Sequence, residues 1–258
     1  MNRLLTVGYG AACYVVFLAA FLYAIGFVGN IVVPRSIDAG IHAPLAEAVV
    51  VNVLLLGLFA VQHSVMARPA FKRRWTRLVP STIERSTYVL LSSLVLLLLY
   101  WQWRTMPAII WDVAWTPGRI LLWVLFAAGW VTVLLSTFMI SHFDLFGLRQ
   151  VYLAWRGTPY TDLEFRTSLL YRVVRHPLML GFLIAFWAAP TMSVGHLLFA
   201  LMTTGYILIA VKFLEERDLV AQYGETYRDY QRRVPMLLPW PKRARSERAH
   251  LASHTPRS

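Results

Sequence analysis

Residues 171–239 read YRVVRHPLMLGFLIAFWAAPTMSVGHLLFALMTTGYILIAVKFLEERDLVAQYGETYRDYQRRVPMLLP, and this stretch decides the fold. An uncharged run from Leu178 to Val211 separates the basic sequence Arg175-His176-Pro177 from the acidic pair Glu215-Glu216. A segment rich in tyrosine and proline follows the acidic pair. A plain membrane anchor needs no such polar frame, so the pattern indicates a polar ligand held at the edge of a bilayer.

The remaining sequence places this stretch in a membrane protein. The chain is 58% hydrophobic and 15% charged, whereas soluble domains have about 45–50% and about 25%. Uncharged runs near the ~20 residues that cross a bilayer occupy positions 4–33, 48–67, 86–103, 120–141 and 178–211. The sequence therefore predicts an all-α fold, a polytopic integral membrane helical bundle.

The last uncharged run is interrupted by Pro190 and Gly195. At about 1.5 Å per residue, its first part from Pro177 to Pro190 covers only about 20 Å. This part either spans the membrane with help from upstream residues or folds back as a helical hairpin. Both alternatives return the chain to the same side, so we expect five to six transmembrane helices, followed by a cytoplasmic C-terminal helical cap.

The positive charges orient the bundle. The chain has 25 Lys and Arg against 13 Asp and Glu, and alternation of the spans places all but Arg35, Arg104 and Arg119 on one side. The positive-inside rule makes that side cytoplasmic, so both termini are expected to lie in the cytoplasm. Because the excess charge lies beside the spans, it favours contact with anionic membrane lipid and argues against a nucleic acid partner.

Arg175-His176-Pro177 lies where a basic loop enters an apolar helix. Proline suits the first helical position, and the following amides with the helix dipole attract an anion. An arginine adds a fork for a carboxylate or phosphate. The alternative interpretation is a basic flank with a snorkelling arginine.

Glu215-Glu216 has two interpretations as well, since the pair either bonds locally to Lys212 or Arg217 or completes a site. A basic group and an acidic group together suit a zwitterion that carries a carboxylate, an amine and ribose hydroxyls. Three tyrosines follow at spacings of four and three, which predicts one helix face. They either stack on an adenine or cover the bundle at the lipid interface; they are Tyr223, Tyr227 and Tyr230.

The order RHP-x3-G, EE-x2-L-x3-YG-x2-Y-x2-Y-x3-VP-x3-P resembles the C-terminal signature of integral membrane methyltransferases. That superfamily includes isoprenylcysteine carboxyl methyltransferases and phospholipid N-methyltransferases. Met179 stands where the family often has tyrosine. The resemblance implies S-adenosyl-L-methionine as cofactor, bound by Arg175, His176, Pro177, Gly181, Glu215, Glu216, Tyr227, Tyr230 and Pro235.

Three upstream motifs resemble the nurim-like branch of that superfamily: QHSVMAR at 62–68, ERSTY at 84–88 and FDLFGLRQ at 143–150. Likeness to the bacterial thiol-methylating enzymes of this branch implies methyl transfer to methanethiol, a small-molecule thiol substrate, giving dimethyl sulfide. The thiolate is the nucleophile, so a nearby cation or a histidine that accepts the proton would activate it. The candidate catalytic residues are His63, Arg68, His142, Arg149, Arg175 and His176.

The resemblance also predicts a division of the chain. Residues 1–141 would form the transmembrane helices on the acceptor side, and residues 142–240 the cofactor-binding half. Independently of the resemblance, the low hydrophobicity and several arginines of residues 241–258 predict a disordered basic tail. A lone cysteine, Cys13, excludes an internal disulfide, and no Cys/His cluster has the spacing of metal ligands, so we expect no metal.

Several alternatives stay open from the sequence. One alternative is an enzyme of the same superfamily whose acceptor is a prenyl-cysteine carboxylate or a lipid amine. Another alternative is a non-catalytic nurim-like membrane protein. A transporter is disfavoured because the chain has no internal repeat. The oligomeric state is not specified by any pattern in the chain.

Overall fold

The computed structural model describes residues 2–240, and nearly all of its regular structure is helical. In chain order the helices are α1 Arg3–Gly29, α2 Leu45–Ala67, α3 Pro69–Trp75, α4 Glu84–Gln102, α5 Thr116–Ile140, α6 His142–Leu145, α7 Leu148–Arg156, α8 Pro177–Trp187, α9 Val194–Ala210, α10 Glu216–Tyr223 and α11 Glu225–Arg233. A π-helical turn, Val211–Glu215, joins α9 to α10 without a break. The predicted tail, 241–258, lies outside the described residues.

Within residues 2–240, four helical segments are long and apolar enough to cross a membrane: α1, α2, α5 and the continuous segment Val194–Tyr223. Helix α4 has 19 residues, which gives it about 28 Å of length at 1.5 Å per residue. It packs between α1 and α2. The prediction of a polytopic helical membrane bundle is confirmed, and each uncharged run forms a helix or a pair of helices.

Helices α8 and α9 form a helical hairpin. Helix α8 has only 11 residues, and the chain turns back through residues 188–193 before α9 begins. Pro177 opens α8 at its first position, as expected for a residue without an amide hydrogen. The start of α8 and the end of α9 therefore lie on the same side of the bundle.

Helix α8 packs against α5 so closely that the two backbones are in contact. A Cβ added to Gly181 would lie 2.7 Å from the carbonyl oxygen of Gly129 and 2.8 Å from the amide of Val133. A Cβ on Gly129 would in turn meet the backbone of Ala185 at 2.6 Å. Small residues permit this approach between membrane helices.

Two short ladders close the end of the bundle where α8 turns into α9. Strand β1, Ile41–His42, pairs in parallel with β2, Arg104–Thr105. Strand β3, Ile109–Asp112, pairs antiparallel with β4, Thr191–Ser193. These ladders were not predicted, and they bond backbone groups of loops that no helix satisfies.

We predict that Gly181→Ala lowers the free energy of unfolding by about 1–3 kcal/mol, because the new methyl group overpacks the contact with α5. The thermal melting temperature of the purified protein in detergent measures this loss. Gly205→Ala on α9 is the matched control, since a Cβ there meets nothing within 4 Å. Equal melting temperatures for both variants would contradict the packing role of Gly181.

Candidate functional site

Glu216 is a buried carboxylate on which four side chains converge. The Arg175 Nε donates to its Oε1 at 2.8 Å and Nη2 donates to Oε2 at 3.0 Å, a bidentate fork. The His176 Nε2 lies 2.7 Å from Oε1, and the Tyr227 hydroxyl donates to the same oxygen at 3.0 Å. Gln231 donates to Oε2. Only 7% of Glu216 is exposed, and its charge is compensated by these donors.

Arg175 also fastens the chain beyond α11 to the start of α8. Its Nη1 donates to the carbonyls of Gln231 at 3.0 Å and Val234 at 2.7 Å. The Arg175 amide donates to the carbonyl of Pro235 at 2.9 Å, and the His176 amide donates to the carbonyl of Met236 at 3.1 Å. The guanidinium is thus committed to Glu216 and the backbone, so it organises the site rather than lying open to a ligand anion.

Glu215 differs from its neighbour because 43% of its side chain is exposed. One of its oxygens lies 3.5 Å from the His176 Nδ1, and its charge also acts on Tyr171, Tyr206 and His63. The π-helical turn that ends at Glu215 rotates the two acidic residues relative to α9, and such turns occur often at functional sites. Glu215 is therefore the carboxylate that retains capacity for a ligand.

His176 bridges the two carboxylates and is a fixed cation. Burial by itself would lower the pKa of His176, but its hydrogen bonds to Glu215 and Glu216 and their negative charges raise that pKa to about 9. With both ring nitrogens directed at carboxylates, the imidazolium form is favoured at neutral pH. In that form His176 has no lone pair with which to accept a proton.

The tyrosines after the acidic pair lie on two helices, and the expectation of one helix face was wrong. Gly224 adopts a positive φ of 57° and ends α10 after Tyr223, so α11 carries Tyr227 and Tyr230. The three rings still meet at Phe165, with ring centroids 5.1, 5.6 and 5.3 Å away. Tyr227 is 1% exposed, so this aromatic group is packed inside the cap.

A second polar group lies at the end of α2 and faces α9 and α10. The Tyr88 hydroxyl lies 3.0 Å from each ring nitrogen of His63, and the His63 ring stacks on Phe59. Two further bonds join the helices: Ser64 Oγ with the Tyr206 hydroxyl at 3.0 Å, and Arg68 Nη1 with Asp218 Oδ2 at 2.9 Å. The candidates His63 and Arg68 thus lie beside the segment that carries Glu215.

His142 and Arg149 are engaged elsewhere. The His142 Nε2 lies 2.7 Å from the Tyr14 hydroxyl and Nδ1 lies 2.8 Å from the Thr137 hydroxyl; burial lowers the His142 pKa. Arg149 pairs with buried Asp144 at 3.0 Å. The described contacts of His142 are with α1, α5 and α6, and Arg149 also bonds to Thr161 in the segment after α7. No described contact joins either residue to Glu216.

Several residues of the site were missed by sequence reasoning. Gln231 follows Tyr227 by four positions on α11, so helical spacing was a signal for it. Tyr88 ends the ERSTY motif, but nothing in the motif names its partner. Tyr206 and Asp218 carry no local signal, because tertiary packing alone brings them to α2.

Taken together, the fold and the site define an integral membrane helical bundle with a polar, ion-paired site at one end of a helical hairpin. The chain belongs to the NnrU family, whose description is "NnrU protein" and which matches residues 51–234. No solved structure matches the chain.

The chain is similar to curated proteins over most of its length. Methanethiol S-methyltransferase of Mycobacterium tuberculosis is 69% identical over 243 residues, which is 94% of this chain and 99% of that protein. Methanethiol S-methyltransferase 2 of Bradyrhizobium diazoefficiens is 59% identical, over 92% of this chain and 91% of that protein. Nurim of Mus musculus is 33% identical over 192 residues, 70% of each chain.

We predict that Glu216→Gln lowers the free energy of unfolding by about 3–5 kcal/mol, because it leaves the buried Arg175 guanidinium without its counter-charge. Chemical unfolding of the purified protein in mixed micelles measures this. Glu225→Gln is the control, since that carboxylate is 68% exposed in its pair with Arg228, and an exposed pair contributes about 0–1 kcal/mol. Equal losses in the two variants would contradict the role of Glu216.

We also predict that the stabilisation from His176 falls as the pH rises. Its folded pKa of about 9 exceeds an unfolded value of about 6.5. The stabilisation is therefore complete below about pH 6.5 and is lost as the pH rises through about 9. The melting temperature of the wild type should exceed that of His176→Gln most at pH 6 and least at pH 9.5. If the difference between the two melting temperatures does not change with pH, His176 is not an imidazolium in the folded protein.

Proposed function

We propose that this chain transfers a methyl group from S-adenosyl-L-methionine to the sulfur of methanethiol, giving dimethyl sulfide and S-adenosylhomocysteine. The observation that carries the proposal is identity of 52–69% with three proteins named methanethiol S-methyltransferase, over at least 92% of this chain. The matched region includes the whole hairpin and its cap. We place the reaction at the cytoplasmic face of a bacterial membrane, with both termini cytoplasmic.

The side chains around Glu215 fit the proposed cofactor. Glu215 has an exposed carboxylate that can accept from ribose hydroxyls or an ammonium group, and the His176 cation lies 3.5 Å from it. Both ring nitrogens of His176 are already directed at Glu215 and Glu216, so the group left to receive the cofactor is the Glu215 carboxylate. When bound, S-adenosylmethionine supplies a methyl group that its sulfonium already makes electrophilic.

The protein's main task in this reaction is alignment. The Arg175–Glu216 fork holds the cap on the hairpin, and Tyr227 holds Glu216 in the same network. A rigid support of this kind lets the acceptor sulfur and the methyl carbon approach in line, a proximity effect of up to about 7–11 kcal/mol. In this proposal Arg175, His176 and Glu216 are positioning residues, and Glu215 contacts the cofactor.

The end of α2 is the proposed acceptor side. His176 is an imidazolium, so the proton of the thiol goes to another group, and His63 is the histidine beside Glu215. A neutral His63 has one N–H and one lone-pair nitrogen, so when the Tyr88 hydroxyl accepts from the N–H, the other nitrogen keeps its lone pair and can accept a proton. Arg68, 28% exposed in its pair with Asp218, supplies the positive charge that favours a thiolate.

In the test, membranes that contain the protein receive labelled S-adenosylmethionine and one of four acceptors. The acceptors are methanethiol, hydrogen sulfide, a prenyl-cysteine and phosphatidylethanolamine. We expect dimethyl sulfide in the headspace of the methanethiol arm. Methylated lipid or prenyl-cysteine in its place would refute the thiol assignment. Absence of any S-adenosylmethionine binding would support a non-catalytic, nurim-like protein.

Glu215→Gln should lower kcat/KM for methanethiol by about tenfold or more, because it weakens charge-assisted hydrogen bonds worth about 1.5–3 kcal/mol. Its melting temperature should stay near that of the wild type, since Glu215 is half exposed. Glu164→Gln is the control, an 81% exposed carboxylate outside the site. Full activity of Glu215→Gln would remove Glu215 from the proposed cofactor site.

A further inference from the structure

The residues around Glu216 leave the carboxylate of the proposed cofactor without a partner. Arg175 is bonded to Glu216 and to backbone carbonyls, and both ring nitrogens of His176 are directed at glutamates. The Glu215 carboxylate suits ribose hydroxyls or an ammonium group, but it repels an anion. The cofactor carboxylate therefore needs a cation with free donors on another element near Glu215.

Lys72, on α3, is a cation whose donors are free. It is partly buried, yet among residues 2–240 its ammonium group makes no hydrogen bond and no ion pair within 4.0 Å. Burial lowers the pKa of Lys72, and so do the charges of Arg85 and Arg68, whereas the charges of Glu84 and Asp218 raise it. An ammonium group that is partly withdrawn from water and lies beside other cations would be stabilised by a bound anion.

Arg85, at the start of α4, adds a guanidinium with open donors. Among the described residues only its Nη1 makes hydrogen bonds, to the backbone oxygen of Asp144 at 3.5 Å and to Oδ2 at 3.3 Å. Asp144 also pairs with Arg149 at 3.0 Å, so two guanidinium groups share one negative charge. The Arg85 side chain is 28% exposed, and its Nε and Nη2 can donate to a ligand carboxylate as a fork.

A short path of described contacts joins Lys72 to Glu215. Asp218 follows Glu215 by three positions, about one helical turn, and its Oδ2 lies 2.9 Å from the Arg68 Nη1. The Lys72 amide donates to the carbonyl of Arg68 at 3.0 Å, which places Lys72 one turn further along the chain. Two helical turns and one ion pair thus connect the free ammonium group to the half-exposed carboxylate.

His63 lies beside this path. The charges of Glu215 and Arg68 both act on its ring. Tyr88, whose hydroxyl lies 3.0 Å from the ring nitrogens of His63, follows Arg85 by three positions and shares its face of α4. A cofactor that extends from Glu215 to Lys72 would therefore bring its central sulfonium near the proposed proton acceptor.

We propose that Lys72 and Arg85 bind the carboxylate of S-adenosylmethionine, while Glu215 accepts from its ribose hydroxyls. Glu84 makes no hydrogen bond or ion pair among residues 2–240, and its charge acts on Lys72, so it would accept from the cofactor's ammonium group. Two cations and one carboxylate with free capacity match the two charges of an amino acid. This inference rests on the proposed methyl transfer and assigns the site of the amino acid end of the cofactor.

Two matched ligands test the proposal: S-adenosylmethionine and decarboxylated S-adenosylmethionine, which lacks only the carboxylate. Equilibrium dialysis of the purified protein in neutral detergent micelles measures both affinities without turnover. We expect the wild type to bind S-adenosylmethionine at least about tenfold more tightly, because the decarboxylated ligand loses the charge-assisted hydrogen bonds. Equal affinities for the two ligands would mean that no carboxylate is recognised and would overturn the inference. No binding of either ligand would refute the proposed function, and the inference with it.

Two variants locate the carboxylate. Lys72→Gln breaks no hydrogen bond of the described structure, so it should fold normally; its preference for S-adenosylmethionine should shrink several-fold while the decarboxylated ligand binds as before. Arg85→Gln should shrink the preference as well. Arg74→Gln is the control, since Arg74 is exposed on the same helix and its loss removes the same charge. A preference that stays at the wild-type level in both Lys72→Gln and Arg85→Gln would overturn the inference and leave the two residues as cations for lipid phosphate.

Discussion

The buried carboxylate of Glu216 is the constraint on which this end of the molecule depends. A carboxylate that is only 7% exposed demands several donors. Glu216 obtains them from Arg175 and His176 just before α8 and from Tyr227 and Gln231 of α11. The same carboxylate therefore holds together the start of the hairpin and the C-terminal cap. The sequence order of basic group, apolar hairpin, acidic pair and tyrosines follows from that demand.

The same hairpin explains why its two ends differ. Helix α8 has 11 residues, so the chain must complete the distance to the far side with a turn and strand β4. Strand β4 pairs with β3 there. One end is thus closed by ion pairs, and the other is closed by short ladders.

Much of the fold could be predicted because hydrophobic length is a strong signal in membrane proteins. Each uncharged run became a helix or a hairpin, and topology alone placed Arg175-His176 beside Glu215-Glu216. The rest depends on tertiary contacts that no local pattern encodes. Gly181 belongs to a motif but packs on α5, His142 is held by Tyr14 from α1, and the partner of each glutamate emerges only when the cap is in place.

Glu215 and Glu216 are adjacent in sequence but differ in exposure, and this difference assigns them different roles in the proposed site. Adjacent carboxylates on a regular helix point about 100° apart, and the π-helical turn before them leaves one inside the cap and the other half exposed. His176 between them is held as a cation, so it stabilises negative charge and cannot take a proton. A reaction that begins with loss of a thiol proton therefore needs its acceptor on another element. We propose that this element is the end of α2, where His63 meets Tyr88 and Arg68 meets Asp218.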